Sequence, residues 1–150
     1  MRKPLVIFVI FSLLLSIPAF PQYKGKSFSE IKAIMNVALK LVGVKAEILK
    51  IVVNQTLRVD FYARMTTGHF PDQHSFEMMM AGVVAVVGDC TRQTSWTSDK
   101  LYFCHVNTHK PTHWIYTKDC RSILRQAESG VSSSRLSRAI LKALHTVERR

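Results

Sequence analysis

Six histidines and three cysteines are the side chains of this 150-residue chain best suited to metal binding, proton transfer or thiol chemistry. His105, His109 and His113 recur every four residues, in a segment that reads as a hairpin and not as a helix. With the turn centred near His109, His105 and His113 face each other across the two strands. Two such imidazoles and a third group can hold zinc or copper. No carboxylate flanks them, so partly exposed polar positions on a sheet are the plainer reading, and no cofactor is implied. A second set, His69, Asp72 and His74, surrounds Pro71 on one loop. These three can serve as acid, base and orienter. They also suit the start of the helix that follows, where Asp72 or His74 would cap it and oppose its dipole.

Cys90, Cys104 and Cys120 allow three pairings. An oxidising compartment would close one pair and leave one thiol. Cys90 and Cys120 flank predicted elements, where loops can adjust to the strict bridge geometry, and are the expected pair. Cys104 is then a buried apolar filler. No C-x-x-C is present, and neither is G-x-S-x-G, H-E-x-x-H, a Walker loop or G-x-G-x-x-G.

The balance of 21 Lys and Arg against 10 Asp and Glu gives a net charge of +11. Residues 2 and 3 are basic, and residues 4–20 carry no charge. A positive start, a short apolar core and a small-residue exit at Ala19 describe a secretory signal peptide. Residues 1–19 are read as that leader and 20–150 as a single domain, secreted or periplasmic. An uncleaved membrane anchor is the alternative, but the apolar run falls short of the ~20 residues that span a bilayer. Only Arg2 and Lys3 leave with the leader, so the rest keeps 19 basic against 10 acidic residues.

Much of that charge lies near the end. Arg135, Arg138, Lys142 and Arg149 occupy the polar side of a predicted last helix, residues 135–148, whose apolar stripe includes Leu136, Ile140 and Leu144. This cationic side is the expected binding surface for an anionic lipid, cell-wall polymer, nucleic acid or acidic partner protein. Trp96, Tyr102, Trp114 and Tyr116 gather around the second hairpin, as sheet filler or as a stacking surface. Asn54-Gln55-Thr56 is an N-glycosylation sequence at the tip of the first hairpin, usable only in a eukaryotic source.

The elements that must position these groups follow the order α-β-β-α-β-β-α-α. Ser27 and Glu30 have capping-box spacing before a helix that Gly43 ends. Residues 44–53 and 57–62 form a hairpin. A turn centred on Gln55 would set Lys50 opposite Asp60 and put Leu49, Ile51 and Val53 on one face with Leu57, Val59 and Phe61. Residues 75–87 form a helix apolar on all sides, buried centrally or used for self-association. Residues 100–106 and 113–118 make the second hairpin, and residues 119–126 a short helix. The expected fold is α+β: a four-stranded antiparallel sheet from two helix-hairpin units, with C-terminal helices.

The leading functional expectation is an exported, non-enzymatic binding or accessory module that engages an anionic surface or partner. An exported enzyme, of hydrolase type, that uses the loop or hairpin histidines is the second. A self-associating structural component is the third.

Overall fold

The computed structural model describes residues 22–66 and 73–148. The leader, the loop residues His69 and Asp72, and Arg149 lie outside the described residues. Within them run α1 (Phe28–Leu41), β1 (Ala46–Val53), β2 (Val59–Met65), α2 (Gln73–Gln93), β3 (Ser98–Cys104), β4 (Pro111–Tyr116), α3 (Thr117–Glu128), α4 (Ser133–Ala143) and β5 (His145–Thr146). The class is α+β.

The start of α1 follows local chemistry. The Glu30 amide donates to Ser27 Oγ at 3.3 Å, and the Ser27 amide donates to Glu30 Oε2 at 2.7 Å. A cap of this kind stabilises a helix by about 1 kcal/mol. Past the other end, Gly43 takes the left-handed conformation, φ +74°, that favours glycine.

The sheet departs from expectation in two ways. It has five strands in the order β1-β2-β3-β4-β5, and β2 and β3 run parallel. The link between them is α2, whose 21 residues rise about 30 Å. That exceeds the length of the seven-residue β2, about 23 Å. The helix carries the chain back to the starting end of β2, so β3 enters alongside it in the same direction, as in a βαβ unit. The fifth strand arises because the last helix stops at Ala143. Leu144 turns extended, and His145–Thr146 adds to β4.

The first hairpin sits two residues from its expected register. Val53 pairs with Val59, Val52 with Asp60, and Lys50 with Tyr62, with a bulge between Ile48 and Lys50. A shift of two preserves which residues share a face, but the bulge buries Ile48 in place of Leu49, and Leu57 falls exposed in the turn. The cause of the shift is Asn54, whose Oδ1 accepts from the Thr56 amide at 3.0 Å, Thr56 Oγ1 at 2.7 Å and the Arg58 amide at 3.0 Å. That side chain fixes a turn centred on Thr56. On the open edge of β1, both backbone groups of Ile48 meet a side chain of α1. Asn36 Nδ2 donates to the Ile48 carbonyl at 3.2 Å, and the Ile48 amide donates to Asn36 Oδ1 at 2.6 Å. Asn36 thus stands where a further strand would pair with the edge strand β1. Asn36→Ala strips two partly buried backbone groups of their partner and is expected to cost about 2 kcal/mol in urea unfolding. An unchanged midpoint would refute that role.

Helix α2 also runs past Val87, its expected end, to Gln93. Gly88 is there because α3 lies against it: a Cβ at this position would meet the Cys120 carbonyl oxygen at 2.8 Å. From Met79 to Thr91 every residue of α2 is buried within the chain. The helix therefore offers no free face over that span for the self-association considered from its sequence. Its stripes join Ile31, Met35 and Leu39 of α1, Ile123 and Leu124 of α3, and Leu136 and Ile140 of α4 in one core. The sheet contributes Phe61, Leu101, Phe103 and Ile115 to that core.

Candidate binding face

Side chains alternate along a strand, so residues between the core positions point to the other side of the sheet. In β2, Val59, Phe61, Ala63 and Met65 are buried, while Asp60, Tyr62 and Arg64 are half-buried. Lys100 and Tyr102 of β3 and Trp114 and Tyr116 of β4 lie on the same half-buried face. The register aligns one row across all five strands: Lys50, Tyr62, Tyr102, Trp114 and His145.

The rings of this row are organised. Tyr62 and Tyr102 stack with centroids 4.7 Å apart and planes 15° from parallel. Trp114 and His145 stack at 4.1 Å and 13°. Tyr116 meets Trp114 edge-on at 4.8 Å. Three ammonium groups lie over ring faces: Lys50 4.6 Å from the Tyr62 centroid, Lys100 4.5 Å from Trp114 and Lys118 5.0 Å from Tyr116. Such contacts are worth about 0.5–1 kcal/mol at exposed sites and hold each cation at a fixed place.

Three acids near the row, Asp60, Asp99 and Glu47, are engaged elsewhere. Asp60 accepts the Lys100 amide at 3.2 Å, and burial raises its pKa from the ordinary aspartate value. Asp99 pairs with Arg58 at 3.5 Å. Glu47 pairs with Arg64 at 2.6 Å, and Arg64 also reaches His109. No described carboxylate lies within ion-pair distance of Lys50, Lys100 or Lys118. Beyond β4 the face continues into a groove of about 440 Å³ lined by Tyr116, Lys118, Asp119, Ser122, Lys142 and His145 among others. The groove brings a cation of α4 to the edge of the aromatic row.

The residues singled out from sequence are dispersed by comparison. Arg135, Arg138 and Lys142 are all exposed on α4, but only Lys142 lines the groove. His74 falls in the first turn of α2. The hairpin histidines do not face one another as expected, because the turn and a bulge set His113 opposite Phe103. His113 lies 5.5 Å from the Phe76 ring of α2. His109 sits at the turn with φ +55° beside Arg64, and His105 Nδ1 accepts the Asn107 amide at 3.2 Å. Among the described residues no group of three or more His, Cys, Asp or Glu side chains is placed to hold a metal.

Cys90, Cys104 and Cys120 are free, buried thiols, and the expected Cys90–Cys120 bridge is not formed. Both lie inside helices instead of in adaptable loops, Cys90 in α2 and Cys120 in α3. Burial pushes the Cys90 thiol up to about 12 and raises Cys120 as well, which disfavours the reactive thiolate. Trp96 turns to the core, against Phe28 and Phe61.

Burial lowers the pKa of His113. The unfolded chain therefore takes up a proton near the ordinary value of 6.5 while the folded chain still resists it. Stability from this residue is full above that pH and declines as pH falls toward the lower folded value. His113→Gln is expected to flatten the pH dependence of the unfolding midpoint between pH 7.5 and 5, and an unaltered slope would refute the assignment.

Comparison with protein-family models, curated proteins and solved structures gives no significant match. Among the described residues, no helix is long and apolar enough to cross a membrane.

Proposed function

We propose that the protein is an exported, non-enzymatic binding module whose ligand is an anionic polysaccharide laid across the open face of the sheet. The observation that carries this reading is the row from Lys50 to His145, with its ordered rings and its lysines free of carboxylate partners. The rings already stack on one another or lie under lysines, so few of their faces are left for bases to stack on. Cations held over ring faces suit an anionic sugar chain better. The basic excess of residues 20–150 supplies the long-range attraction, and the groove toward Lys142 lengthens the track.

Trp114 reports on the face, and Trp96→Phe removes the other tryptophan. The probe is a heparin oligosaccharide, titrated against Trp114 fluorescence at rising salt. The expected result is a saturable change whose affinity falls with ionic strength. Absence of saturable change, or tighter binding of oligothymidylate or of anionic lipid vesicles, overturns the reading.

A further inference from the structure

We propose that Asn54 is a site of asparagine-linked glycosylation, and this rests on the export reading above. Asn54-Gln55-Thr56 is the sole such sequence in the chain, since Asn36 and Asn107 lack a hydroxyl residue two positions on. It lies on the β1–β2 turn, where Gln55, Thr56, Leu57 and Arg58 are exposed. The geometry of the turn suits the modification. Three hydrogen bonds hold the Asn54 side chain, and all three end on Oδ1. Nδ2 takes part in none of them, so a sugar on Nδ2 leaves the turn intact. Thr56 Oγ1 is already placed against the side-chain amide at 2.7 Å.

A second observation lies beside it. Leu57 is 75% exposed and Val53 42%, so this tip carries an uncovered apolar patch. A glycan rooted at Asn54 would shade both side chains. The donor is an oligosaccharide linked to a lipid pyrophosphate. Asn54 Nδ2 forms a bond to the anomeric carbon of the first sugar, and the bond from that carbon to the pyrophosphate oxygen breaks. The lipid pyrophosphate leaves with the electron pair, and the amide nitrogen gives up one proton to a base of the transferase.

The full chain is expressed in cultured animal cells, once with its own N-terminus and once with residues 1–19 exchanged for a leader of proven export. The expected product is one slower-migrating form that collapses on treatment with peptide N-glycosidase. Thr56→Ser should keep that form and Thr56→Ala should lose it, while the Thr56 amide still supports the turn. If the chain with the exchanged leader reaches the medium without a glycosidase-sensitive form, the assignment of Asn54 is overturned. If only the exchanged-leader chain is modified, Asn54 stands and the export reading falls.

Discussion

Replacing Gly88 with leucine is expected to lower the unfolding free energy by about 3 kcal/mol, near the upper end for an overpacked core. Glycine inside an ordinary exposed helix is worth replacing, since alanine there gains about 1 kcal/mol. Gly88 is the opposite case. The atom facing it is the backbone oxygen of Cys120, and Leu124 Cβ follows at 3.4 Å. Neither can rotate aside as a flexible side-chain tip would. Helix α3 must move off α2, and both the sheet and α4 depend on where α3 sits. Gly88→Ala should lie between wild type and leucine in urea unfolding. A midpoint for Gly88→Ala above wild type would show that the helices tolerate separation.

The second large effect concerns the open face. Lys50→Glu, Lys100→Glu and Lys118→Glu together are expected to weaken the heparin oligosaccharide about 100-fold. That corresponds to about 3 kcal/mol, or about 1 kcal/mol for each reversed charge. The fold should survive, because these ammonium groups lie on the uncovered side of the sheet. Arg135→Glu with Arg138→Glu makes the decisive comparison, since both lie on α4 away from the groove lining. Their reversal is expected to cost less than about threefold, reflecting only the lost long-range field. A larger loss from the α4 pair than from the sheet triple would move the site to that helix.

Local chemistry was legible in the residues and long-range placement was not. Ser27 and Glu30 announce the start of α1, because both partners of the cap lie within one turn. The all-round apolar character of α2 announces its burial. The end of α4 could not be read the same way. Leu144 and Val147 continue the helical stripe past Ala143, and only pairing with β4 draws His145 and Thr146 out of it. The register of the first hairpin turned on one side chain, Asn54, whose three bonds outweigh the attraction expected between Lys50 and Asp60. The open face left a readable trace. Lys100, Tyr102, Trp114 and Tyr116 alternate with Leu101, Phe103 and Ile115, so the residues that carry a polar atom fall on the side opposite the purely apolar ones. What alternation alone leaves undecided is which side the helices cover and that His145 completes the row.

The parallel junction between β2 and β3 has a consequence for how the chain comes into being. Each hairpin closes through a turn of a few residues and can form as soon as its own strands exist. The junction joins segments separated by the whole of α2, and contacts of that span form late. Until α2 has packed and β3 has arrived, a nascent chain presents the inner side of β2 as an open edge, with Phe61 and Ala63 uncovered. A strand paired on both sides in the finished sheet is then its most adhesive part during synthesis. A chain stalled between Met65 and Ser98 should aggregate where the complete chain does not, and the remedy is synthesis of the second hairpin.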